Sequence, residues 1–183
     1  MPRRPHEFYE TPPHYTRALL KHITIAPSAL VFEPCVGDGS IIKALPTGTR
    51  WTNDIDPARS AYTHLDTAKP WLGALRNEES FDWTITNPPF SLEEQILEQA
   101  LIHSRNVAFL ARLSFLEPTG TEKKRGRRDF FKKYAPPSKL IVLPRYSFRN
   151  NDKGKKGSDS VTCCWMVWSD EGPSGIFIEG DRS

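Results

Sequence analysis

Cysteine is scarce in this chain, three in 183 residues, and its placement excludes more than its number does. Cys35 stands alone, while Cys163 and Cys164 are neighbours on an apolar run, where a strand sends them to opposite faces. Neither a disulfide framework nor a zinc site can be laid out on such spacings. The five histidines (His6, His14, His22, His64 and His103) are equally scattered, so no metal is expected. Long hydrophobic runs are also missing. No apolar stretch can span a bilayer, and the Pro- and Arg-rich N-terminus lacks the apolar core of a secretory signal, which leads us to expect a cytoplasmic location and no membrane partner. Charge of one sign barely accumulates: a net charge of +3 and a pI near 8.8 are too mild to identify a polyanionic partner on their own. Internal repeats are absent too.

What remains is an ordinary globule by composition, 38% hydrophobic with a mean hydropathy of −0.52. Its length predicts a single domain over 1–183, enough for a proper core but short for a catalytic domain plus a separate target-recognition domain.

Chemistry concentrates at Asn87-Pro88-Pro89-Phe90, directly after the apolar run Trp83-Thr84-Ile85-Thr86. An exocyclic amine on a heteroaromatic ring is a poor nucleophile because its lone pair is delocalised. A catalyst therefore needs two acceptors for the N–H groups and a ring against the face. Asn87 supplies a side-chain carbonyl and Pro88 a backbone carbonyl, and neither proline carries an N–H that competes for them. Residues preceding proline are pushed to extended geometry, so the chain leaves the strand rigidly and both acceptors aim one way. Phe90 can stack on the base, a contact worth roughly 1–3 kcal/mol in nucleic-acid sites.

Upstream, Val31-Phe32-Glu33-Pro34-Cys35-Val36-Gly37-Asp38-Gly39-Ser40 reads as a strand entering a Gly-x-Gly loop, with a helix start after it. Ile42 stands where a dinucleotide fingerprint places its third glycine, and no Gly-Lys-Ser/Thr follows, which disfavours a pyrophosphate ligand. A second short strand ends in Asn53-Asp54-Ile55-Asp56, the usual place for an acid that grips ribose hydroxyls. Asp54 is the first choice for that acid and Asp56 the second.

In order and spacing these segments resemble the S-adenosylmethionine-dependent amino methyltransferases, most closely the adenine-N6 DNA methyltransferases with an Asn-Pro-Pro-aromatic motif. The resemblance spans the first half of the chain or more. It implies S-adenosylmethionine as cofactor, with Thr11 of Glu10-Thr11-Pro12-Pro13 meeting its methionine carboxylate. Glu33, Pro34, Gly37 and Gly39 would wrap its methionine part, Asp54 its ribose and Asp66 its adenine, while Asn87, Pro88, Pro89 and Phe90 hold the target amine. It also implies a Rossmann-like α/β fold, a mostly parallel seven-stranded sheet with a C-terminal antiparallel hairpin.

The element pattern agrees. The sequence predicts a helix over 12–22 capped by Thr11, strands at 29–33, 50–53, 83–86 and 106–113, and a helix from Ser91 whose capping box closes on Glu94. A loop over 114–120 and a helix near 127–134 follow, then two β-rich runs, 139–143 and 161–168, as a long hairpin. Ile176-Phe177-Ile178 can add an edge strand.

Two basic clusters are candidates for phosphate contacts: Lys123, Lys124, Arg125, Arg127 and Arg128, and then Arg145, Arg149, Lys153, Lys155 and Lys156. Either can instead be a solvated loop. Tyr146 and Phe148, interleaved with Arg145 and Arg149, tilt the second toward nucleic acid. DNA is the expected partner, with RNA bases or a protein glutamine amide as alternative amines and a non-catalytic nucleic-acid-binding subunit as a third reading. With no recognition domain expected, either target choice is relaxed, or these two loops read the target, or recognition is borrowed from a partner; a homo-oligomer is a further open expectation.

Overall fold

A computed structural model describes residues 10–46, 48–71, 80–119, 126–145 and 161–180. Strands β1 (Leu30–Glu33), β2 (Thr49–Thr52), β3 (Phe81–Thr86), β4 (Ser104–Arg112), β5 (Lys139–Val142), β6 (Cys163–Trp168) and β7 (Gly175–Ile178) form one sheet. Their order is β2-β1-β3-β4-β6-β5-β7. β1 is parallel to β2 and β3, and β3 to β4, whereas β6 runs antiparallel to both β4 and β5. β7 adds to the far edge, parallel to β5. The C-terminal ends of β1 to β5 therefore emerge along one edge of the sheet.

Four helices, α1 (Pro13–Leu20), α2 (Ser40–Ala44), α3 (Glu93–His103) and α4 (Arg127–Tyr134), cover the two faces. The central strands read as continuous apolar runs because both faces are buried. On one side Tyr15, Leu19 and Ile41 pack with Val31, Ile85, Leu110, Ile141 and Trp165. On the other, Ile96, Leu97, Ala100 and Phe130 pack with Phe32, Phe81, Phe109 and Met166. Cys163 joins the first cluster and Cys164 the second, as strand alternation requires.

Both α1 and α3 begin later than expected, without a side-chain hydrogen bond from the residue at the cap. α1 begins after Pro12, with no side-chain cap, and the Thr11 hydroxyl instead accepts a hydrogen bond from Asn87 Nδ2 at 3.0 Å. α3 begins after Leu92 rather than Ser91, also without a side-chain cap. There the Leu92 N–H donates to the Pro89 carbonyl at 2.9 Å, so the chain closes a turn before the helix can start. The 114–120 loop is partly a 3₁₀ turn over Leu113–Leu116. α1 is pinned to the sheet at two points: Tyr15 Oη donates to the Pro144 carbonyl at 2.7 Å, and Trp165 Nε1 to the Tyr15 carbonyl at 2.8 Å.

Candidate active site

Where β1 and β2 end, their loops enclose a cavity of about 790 Å³, its solvent mouth included. Thr11, Glu33, Pro34, Gly37, Asp54, Asp66, Asn87 and Pro89 all line it, so most of the residues expected to serve cofactor and target share one chamber. The second-choice acid Asp56 lines it as well. Gly39 stands behind the wall as the cap of α2, and both glycines adopt left-handed φ, 56° at Gly37 and 77° at Gly39. A side chain at either is strained in that conformation.

The loops are fixed from below by carboxylate and amide groups. Asp54 accepts hydrogen bonds from the Gly37 N–H (2.8 Å) and the Asp56 N–H (2.9 Å), tying the loop after β1 to the loop after β2. Asn53 is fully buried and holds a third segment: its Nδ2 donates to the Pro34 and Leu65 carbonyls, and its Oδ1 accepts from the Leu65 N–H and the Thr63 hydroxyl. This network brings Asp66 and Thr67 to the cavity, although no helix or strand occupies residues 54–71.

Glu33 lies at the floor, 1% exposed, and its Oε2 has no protein partner. Burial pushes its carboxyl well above the usual range; the Ile42 N–H pulls it down, while Asp38 and Asp54 push it further up. With Asp38, Asp54, Asp56 and Asp66 on the same wall, the chamber suits a ligand carrying positive charge. A methionine-derived sulfonium with a free amino group meets that requirement. Cys35, in the wall with its thiol 4.0 Å from Thr67 Oγ1, is pushed up to about 12 by burial and is no thiolate nucleophile.

Asn87 emerges from β3 between the acid-rich chamber and the ends of β4 and β5. Pro88 is buried and does not line the cavity, and Phe90 is half-buried to one side. The Arg112 guanidinium lies over the Phe90 ring, 3.9 Å from its centroid. Arg112 was not among the candidates, although a cation closing the apolar run of β4 was a legible signal. Asn53, Ile55, Arg59 and Thr67 were missed as well.

The basic candidates separate. Lys123, Lys124, Arg125, Arg149, Lys153, Lys155 and Lys156 lie outside the described residues, as do Tyr146 and Phe148. Arg127 stacks on Phe115 at 4.6 Å and donates to the Ser114 carbonyl at 3.0 Å, so it folds the turn after β4. Arg128 is exposed beside Asp129 at 3.9 Å, and Arg145 is exposed just beyond β5. No helix among the described residues is long and apolar enough to cross a membrane.

No family model and no curated protein matches this chain by sequence. Solved structures do match by fold. A protein from Listeria monocytogenes assigned to the class I S-adenosylmethionine-dependent methyltransferases superposes with a TM-score of 0.57 at 12% identity, over 89% of this chain and 61% of its own. A type I restriction-modification methyltransferase subunit from Streptococcus thermophilus gives 0.63 at 12%, over 90% and 45%. The 23S rRNA methyltransferase ErmE gives 0.56 at 15%, over 94% and 72%. The chain thus spans roughly half to three fifths of the first two. The seven-stranded sheet, its antiparallel β6 and these superpositions agree that the chain has the fold of the class I S-adenosylmethionine-dependent methyltransferases.

Proposed function

We propose that the protein is an N-methyltransferase that binds S-adenosylmethionine in the acid-rich chamber and methylates the exocyclic N6 amine of adenine in DNA. One observation carries the reading: Asn87 donates its amide N–H to Thr11 Oγ1 at the chamber wall, which commits the two branches of the amide to different sides. We assign the other branch, the carbonyl oxygen, to the incoming amine.

Bound in the chamber, S-adenosylmethionine supplies a methyl group on a sulfonium. The chain's own part is positioning. Glu33 and the Gly37 loop hold the methionine end, and Asp54 or Asp56 the ribose, while the Asp66 loop meets the adenine. Asn87 Oδ1 and the Pro88 carbonyl accept the two N–H groups of the target, which favours a pyramidal, electron-richer nitrogen. That charge shift is strongest in the transition state, where it lowers the barrier. The new C–N bond forms as the C–S bond breaks in line, and water takes the proton released from nitrogen. A target in a duplex must first be swung out at a cost of a few kcal/mol, which stacking on Phe90 offsets in part.

The restriction-modification subunit among the structural neighbours favours DNA, and the rRNA methyltransferase keeps RNA as the second reading. Transfer of radiolabelled methyl onto DNA, RNA and protein in parallel, followed by mass spectrometry of digested nucleosides, tests this. N6-methyladenine from DNA is the expected product. Label only in RNA or protein replaces the substrate, and no label with cofactor bound refutes the activity.

A further inference from the structure

We propose that Arg112 is a positioning residue for the target nucleotide, clamping Phe90 with the plane of its guanidinium while offering its N–H edge to the phosphate beside the target; this rests on the nucleic-acid reading above. Three observations converge. Arg112 is the last residue of β4, an exposed position beside the strand that delivers Asn87. Its guanidinium carbon lies over the Phe90 ring, 3.9 Å from the centroid. Among the described residues it has no carboxylate within 4.0 Å, unlike Arg59, Arg105 and Arg128, which face Asp56, Asp82 and Asp129.

A stacked guanidinium keeps its donors in its own plane, pointing away from the ring beneath. That geometry matches a phosphodiester, whose oxygens take two parallel N–H groups. Lysine cannot do both tasks, because an ammonium is a point charge without a plane. The chain ends β4 on a cation at this spot, although the run before it, Val107 to Ala111, is buried and apolar. Packing does not require a charge there. One residue would thus couple the ring that receives the base to the backbone from which the base swings out.

The test uses the full chain with Arg112→Ala, Arg112→Lys and Arg112→Gln, an adenine-containing DNA duplex and the corresponding RNA hairpin. Readouts are cofactor affinity, kcat and KM for methyl transfer, and the salt dependence of nucleic-acid binding. All three variants should keep the wild-type cofactor affinity. Arg112→Lys should keep the salt slope and lose about tenfold in kcat, because the charge survives and the clamp does not. Arg112→Gln, flat but neutral, should keep most of kcat, raise KM and flatten the slope by about one phosphate contact. Arg112→Ala should show both losses. Lys and Gln variants that behave alike, or an Arg112→Ala variant with wild-type kcat and slope, would overturn the role while leaving the proposed function standing. A wild-type protein that labels neither nucleic acid overturns both.

Discussion

The two halves of the sheet's working edge are built differently. On the β1–β2 side the polar groups are partly or wholly buried and mostly fixed by one another: Asp54 bonds the Gly37 and Asp56 N–H groups, Asn53 bonds Pro34 and the 63–65 stretch, and Glu33 is buried at the floor. On the β4–β5 side they are cationic and exposed, with Arg112 and Arg145 at strand ends and Arg128 at the start of α4. The first half is a preformed mould; the second is an open cationic surface, the kind that the proposed nucleic-acid substrate would meet. Asn87 sits between them. A small cation needs a preformed cavity because few contacts must supply all its affinity, whereas a long polyanion can gather many weak contacts.

The sharpest way to break this division is at its boundary. Asn87→Ala should lower methyl transfer by at least about a hundredfold, the cost of losing one acceptor that acts in the transition state, while calorimetry finds the cofactor bound as before. Loss of both with the fold intact would place Asn87 in the cofactor half alone.

Within the acidic half, Glu33→Gln should weaken cofactor binding about tenfold, the scale of one charge-assisted contact, and yet stabilise the free protein. The sign follows from burial. A carboxyl whose folded pKa is raised contributes stability fully present below its unfolded pKa and lost as pH rises through the folded one. The variant should therefore melt about 2–4 °C higher than wild type near pH 8, as about 1 kcal/mol does in a chain of this size, with the difference closing toward pH 4. In wild type, cofactor affinity should rise with pH up to the raised pKa of Glu33, because a cation prefers the ionised carboxylate. A pH-independent affinity in calorimetry would remove Glu33 from the site.

The smallest effect belongs to the exposed half. Arg145→Gln should weaken DNA binding only a few-fold and reduce the salt slope by about one phosphate contact, read by fluorescence anisotropy across a salt series. An unchanged slope would retire Arg145 as a phosphate ligand.

The same contrast explains what the sequence disclosed. Glu33-Pro34-Cys35-Val36-Gly37-Asp38-Gly39 and Asn87 to Phe90 are contiguous, and their backbone demands are written in glycine and proline, so their places at strand ends could be read directly. The apolar runs of β4 and β6 likewise announced a sheet covered on both faces. The helix starts differ by one or two residues: Thr11 is engaged by Asn87, a tertiary bond that no local pattern encodes, and a turn from Pro89 to Leu92 precedes α3. The contact of Arg112 with Phe90 joins the end of β4 to the turn after β3, and nothing in either neighbourhood specifies it. Arg127 looked like part of a basic cluster, yet Phe115 and the Ser114 carbonyl hold it.

The Asn53 carboxamide has a consequence for how the chamber opens. Residues 54–71 form neither helix nor strand; backbone bonds from Tyr62 and Thr63 to Thr52 hold the middle of the stretch and the Trp71 N–H bond to Gln99 its end, while the Asn53 side chain alone ties Leu65, just before Asp66, to Pro34. Cofactor should slow amide exchange most around Leu65, whose N–H the Asn53 carbonyl accepts. Replacing the carboxamide nitrogen by oxygen, as Asn53→Asp does, would set an anion against the Pro34 and Leu65 carbonyls and loosen the chamber's wall at Leu65 to Thr67.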